Sequence, residues 1–188
     1  MRNRSRMSAV AAVIAVSALI VLAAPAAGGT TQVSGTAVNN VNCLPPVGTP
    51  PANLGDYPPI DLTGSLVGCW YTYVSDFRLH PSGTYQETGT ETFVGCLNGS
   101  ACGTFNTMYT FTAKFTPEFA EIHGRCQHAI TGGTGAFTNA SGVILFKDDV
   151  VNLLFNYRGH INLVSAARRM LAAAGSVGSA SGGDQSQC

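Results

Sequence analysis

Charge is scarce in this chain. Its 188 residues include ten Lys and Arg and ten Asp and Glu, 11% charged in all, with no net charge. Nucleic acid is gripped through clustered basic residues, so it is excluded as a partner. The chemical motifs are sparse as well. There is no Gly-x-Ser-x-Gly elbow for a serine nucleophile, and the "CQH" of Cys126–His128 lacks the four-ligand spacing of a structural zinc site. No metal and no cofactor is expected. Helical periodicity is missing between Asp61 and Leu163, where the apolar residues fall in steps of two.

Long hydrophobic runs are missing too, apart from Ala9–Ala24. That run follows Arg2, Arg4 and Arg6 and leads to Ala24 and Ala26, the three-part layout of a secretory signal. Residues 1–26 are therefore expected to be removed on export, and a run this short predicts no stable membrane span in the mature form. Loss of the three arginines leaves seven basic against ten acidic residues, a mildly acidic, extracellular protein of one domain.

All six cysteines, Cys43, Cys69, Cys96, Cys102, Cys126 and Cys188, follow that segment, where the compartment permits disulfides. Cys96 and Cys102 flank "LNGSA", and Asn-Gly is a hairpin-turn pair, so a bridge across the loop is expected. Of Cys43, Cys69 and Cys126, two are expected to pair. Cys188, at the end of the tail, is expected to be free.

The segment Asn39–Ile60 holds six of the nine prolines and no periodicity, so an irregular arm is expected there. "TQVSGTAV" before it supplies one short edge strand, giving an N-terminal strand and arm over 27–60. From Asp61 the chain alternates. Phe105, Tyr109, Phe111, Ala113 and Phe115 share one face of one segment, and Val151, Leu153, Phe155, Tyr157, Ile161 and Leu163 share one face of another. Short turns separate such segments, which predicts an all-β fold: a closed antiparallel barrel of about eight strands over 61–164. A short helix and a flexible tail are expected over 165–188.

The glycine-rich "ITGGTGAFTNASG", Ile130–Gly142, satisfies neither a phosphate loop nor a dinucleotide fingerprint, because a strand-like "SGVILF" follows where a helix is required. It predicts a strand reversal in which Gly132, Gly133 and Gly135 supply positive φ and Phe137 plugs the barrel end. This turn resembles the signature of the dirigent proteins, whose barrel is similar to that of allene oxide cyclase. "GSLVGCWYTYV" and "NYRGHINL" resemble an early and the closing strand of that family. The resemblance implies a calycin-like, allene-oxide-cyclase-like barrel and a trimer. Ser141 stands where the family carries a basic residue, so its reaction is not carried over.

Phase selects the inward polar residues. Glu91, with Glu87 behind it, shares a face with Tyr85 and Phe93, while His128 shares one with Ile122, Cys126 and Ile130. Glu91, His128 and Tyr109 are the candidate acid–base residues, and with Tyr157, Phe111 and Phe155 they are the candidate ligand-binding set. Arg78, His80, Arg125, Arg158 and His160 fall on the outer faces or near turns. Three functions fit: a secreted barrel binding a small apolar or aromatic molecule, a cyclase- or dirigent-like isomerase steering a hydrophobic intermediate, or a structural or adhesive surface module. The first asks for the fewest placed groups.

Overall fold

Side chains that alternate inward and outward mark half-buried strands, and eight such segments run through the computed structural model, which describes residues 29–164. They are β1 (Gly29–Asn39), β2 (Ile60–Gly64), β3 (Leu66–Leu79), β4 (Thr84–Leu97), β5 (Ala101–Phe115), β6 (Glu121–Gly135), β7 (Ser141–Asp149) and β8 (Leu154–Leu163). Each pairs antiparallel with the next, and β8 returns to β1 from Gly29↔Leu163 to Ala37↔Phe155, closing the barrel. The expected eight-stranded antiparallel barrel is the fold observed. One boundary shifts: β1 is not a peripheral edge strand, because without its pairing to β2 and β8 the sheet would not close. The expected signal segment at 1–26, the helix and tail at 165–188 and Cys188 lie outside the described residues.

The two ends of the barrel differ. At the floor, where β6 turns into β7, Phe137 is fully buried and packs edge-on against Phe105 at 5.1 Å and Phe93 at 6.1 Å. Phe93 and Phe105 stack at 4.7 Å, and Trp70 lies above them, 5.5 Å from Phe105. These rings fill the floor half with apolar area, the main favourable contribution to folding. Gly135 turns the chain at φ +61°, but Gly133 does not use positive φ. Instead, its missing side chain lets β6 approach Phe105 and Phe137 closely.

Bulges explain where alternation misleads. Lys114 pairs with His123 but Phe115 with Glu121, so Ile122 is an extra residue that resets the phase of β6. Ile122 is accordingly exposed rather than inward, while Gly124, Cys126 and His128 keep the inner face. Val151 and Leu153 were also expected to face inward. They stand in the β7–β8 turn, 85% and 82% exposed, because β8 begins only at Leu154.

The arm, residues 40–59, forms no strand. Among the described residues two disulfides are formed, Cys43–Cys69 and Cys96–Cys102. The first ties the arm to β3, and the second joins residues directly opposite across the Asn98–Gly99 turn. Cys126 is the reduced member of the expected trio. β2 reaches only as far as Trp70 along β3, and the arm takes over the edge beyond it. Asp56 N–H donates to Thr72 O at 2.8 Å, and Val74 N–H donates to Asp56 Oδ2 at 2.7 Å. Under this strap Cys43, Cys69, Tyr71 and Val94 form a small apolar cluster outside the barrel.

Candidate functional site

The mouth half of the barrel is built differently from the floor. Thr72, Glu91 and Thr107 lie directly opposite one another across β3, β4 and β5 and all point inward. Thr107 donates to Glu91 Oε2 at 2.7 Å and Thr72 to Glu91 Oε1 at 3.2 Å. From β6, His128 places Nδ1 2.5 Å from Glu91 Oε2. Both members of this pair are buried, at 3% and 2% exposure. Burial of an ionisable group is tolerated when it is paired and hydrogen-bonded, and here every Glu91 contact is a donor. The imidazole is boxed by Trp70 at 5.1 Å, Phe146 at 4.6 Å and Tyr109 at 6.2 Å between ring centroids. Among the described residues its Nε2 has no partner, nor has the neighbouring Trp70 Nε1.

A second carboxyl group lies two inward positions nearer the mouth, beyond Gly89. Glu87 accepts three phenolic hydroxyls: Tyr109 on Oε1 at 2.7 Å, and Tyr57 at 2.5 Å and Tyr85 at 2.6 Å on Oε2. Burial and the bond to Glu87 push the Tyr85 hydroxyl up to about 12 and raise those of Tyr57 and Tyr109 further. None of the three releases a proton in the neutral range, so they act as fixed donors. The Cys126 thiol is raised by burial first and by Glu91, Asp148 and Glu87 after it. It is therefore a poor nucleophile despite lying 3.9 Å from His128 Nδ1.

At the mouth itself a cavity of about 320 Å³ opens between the end of β1, the start of β6 and the β7–β8 turn. Its lining mixes apolar Val150, Leu153, Leu154 and Phe155 with polar Asn39, Glu121, Asp148 and Asp149. Glu121 faces Asp148 over Gly124, where any side chain would collide with both carboxyl groups. Burial and the hydrogen bond it donates to Asp148 push the Glu121 carboxyl up to about 7, so it titrates in the neutral range. Among the described residues no cluster of three His, Cys, Asp or Glu converges to hold a metal ion, and no helix is long and apolar enough to cross a membrane.

The structure thus brings Glu91, His128 and Tyr109 together in one interior. Phe155 lines the mouth cavity, and Phe111 packs on Tyr85 at 6.1 Å. Tyr157 is inward but turned away from this group. Its hydroxyl donates to Thr63 O and accepts from Leu66 N–H, both at 2.9 Å, which commits it to the β2–β3 turn. Arg78, Arg125 and Arg158 are exposed on the outer faces. Phase analysis missed Thr72 and Thr107, which carry no apolar signal, and Tyr57, which sits in a segment without period. It also missed Glu121 and Asp148, although both follow from the inward phase of β6 and β7 once the Ile122 bulge is known.

The class defined by these features is a closed eight-stranded antiparallel barrel with a filled floor, a polar inner layer and an open mouth. No protein-family model, no curated protein and no solved structure gives a significant match to the chain.

Proposed function

We propose that this is a secreted barrel that takes a small apolar or aromatic molecule into its open end. The observation that carries this reading is the cavity of about 320 Å³, lined by apolar side chains with a few polar ones among them. Ligand pockets begin at about 300 Å³ and combine apolar surface with a few placed polar groups. The filled floor supports it as well, since it confines a ligand to one entrance. Export is supported by the signal-like first 26 residues and by the two disulfides. Titration with the neutral fluorophore N-phenyl-1-naphthylamine tests the proposal. Saturable enhancement at one site per chain is expected, weakened at least roughly tenfold by Leu153→Asp at the rim, the penalty of a charge set against an apolar ligand. Enhancement that never saturates would remove it.

A second reading, an isomerase or cyclase acting on a hydrophobic intermediate, is favoured by one feature. Glu91 orients His128 through Nδ1 and leaves Nε2 open, the arrangement by which a carboxylate prepares an imidazole for proton transfer. Its signature would be exchange of ligand protons with solvent deuterium that His128→Gln abolishes while binding persists.

A further inference from the structure

Of the eight described residues that line the mouth cavity, three are carboxylic acids, Glu121, Asp148 and Asp149, and none is a Lys, Arg or His. The three are not equally satisfied. Asp149 accepts the Asn152 backbone N–H at 3.0 Å and its side-chain amide at 2.8 Å. Those bonds, with Lys147 after them, hold its carboxyl below the usual carboxylate range. Glu121 has no such support, since among the described residues its buried Oε1 accepts no hydrogen bond. That oxygen and Asp148 Oδ2 both rest against buried Gly124, where a Cβ would collide with each, so the two carboxyl groups are brought together.

Carboxylates held side by side away from water repel, and the protein balances this pair with a proton on Glu121, whose carboxyl titrates at about 7. A ligand cation can replace that proton and bring hydrogen-bond donors with it. A metal ion does not fit, because among the described residues no three His, Cys, Asp or Glu side chains converge on one point. The other half of the lining calls for an apolar body. Leu153 is held at φ +55°, where bulky side chains are seldom found, and stands 82% exposed over the cavity. Backbone strain of this kind collects at ligand clamps.

We propose that the mouth cavity selects an organic ammonium, an apolar or aromatic molecule whose body lies on Val150, Leu153 and Phe155 and whose protonated amine docks at Glu121 and Asp148. This inference rests on the mouth-binding reading and names the charge of its ligand. Docking of the amine expels the Glu121 proton to solvent. Asp148 and Asp149 from β7 are the charged groups that share the cavity with Glu121. Lys114, His123, Arg125 and Lys147 alternate to the outer faces of β5, β6 and β7, and Glu118 is exposed in the β5–β6 turn.

Calorimetry at pH 7 with three probes of nearly one shape tests it: protonated 1-naphthylmethylamine, neutral 1-naphthalenemethanol and anionic 1-naphthoate. The amine should bind roughly ten- to hundredfold more tightly than the alcohol, the worth of one hydrogen bond to a charged group, and the anion most weakly. Heats measured in two buffers of different ionisation enthalpy should show about half a proton released per amine bound, and none for the alcohol. Glu121→Gln combined with Asp148→Asn should remove most of the amine preference and leave alcohol affinity unchanged. Glu118→Gln, which deletes a charge of the same sign outside the cavity, should leave the preference intact. Equal affinity for amine and alcohol would overturn the ammonium site and leave mouth binding standing. Amine binding to the native protein without proton release would overturn it as well, as would a preference that survives in the double variant. Failure of all three probes to bind would overturn both proposals.

Discussion

The hydroxyl of Tyr57 donates a 2.5 Å hydrogen bond to Glu87, joining a proline-rich arm to the inner face of β4. An irregular segment is thereby made part of the barrel interior. The arm needs such ties because it contributes no sheet pairing of its own beyond the bonds of Asp56.

Tyr57→Phe keeps the ring and deletes that tie. A hydrogen bond to a charged group is worth about 1.5–3 kcal/mol, and the exposure of Tyr57 brings the expected loss to the lower end. Urea unfolding should show it, and hydrogen exchange at the Asp56 and Val74 amides should quicken. Unchanged exchange would mean that the disulfide and the Asp56 bonds hold the arm without this tie.

The two disulfides should differ in worth. Cys43–Cys69 spans 26 positions and Cys96–Cys102 spans six. Loop-closure entropy then assigns about 3.5 kcal/mol to the first and about 2 kcal/mol to the second. Replacing each pair by serine and comparing denaturation midpoints checks the order. A larger loss from the hairpin pair would contradict the entropic account.

Glu91→Ala and His128→Ala are each expected to cost about 3 kcal/mol or more, since each leaves a buried partner uncompensated. The double variant should cost clearly less than the two losses combined. Additive losses in a double-mutant cycle would show that the 2.5 Å contact carries no coupling.

The mouth carboxyl pair predicts a pH dependence with a definite sign. The Glu121 pKa rises on folding from the ordinary 4.5 to about 7. An acid whose pKa rises on folding supports the native state below its unfolded pKa and loses that support as pH climbs through the folded one. Stability should therefore fall between about pH 4.5 and pH 7 by more in the native protein than in Glu121→Gln. Parallel profiles for the two proteins would contradict the raised Glu121 pKa.

Much of this fold is legible in the residues. Alternation in β5 and the glycine turn before β7 announce strands and reversals directly, because period two and positive φ are local properties. The site is less so. Glu91 and His128 are 37 positions apart, and their meeting depends on the register of β4, β5 and β6, which alternation alone leaves open. The bulged Ile122 broke the phase on which the inward set of β6 was judged. Tyr57 could not be found at all, since nothing in a proline-rich loop says which of its side chains folds back. Tyr157 was legible as inward, but its engagement with Thr63 and Leu66 belongs to tertiary structure.

Amide chemical-shift mapping with N-phenyl-1-naphthylamine on the labelled protein tests the central claim most directly, because it reports where the apolar ligand sits. Shifts should concentrate at Asn39, Glu121 and Asp148–Phe155 around the mouth cavity. Shifts confined to the outer strand faces, to the arm or to the Phe137 floor would contradict it, as would a spectrum that does not change.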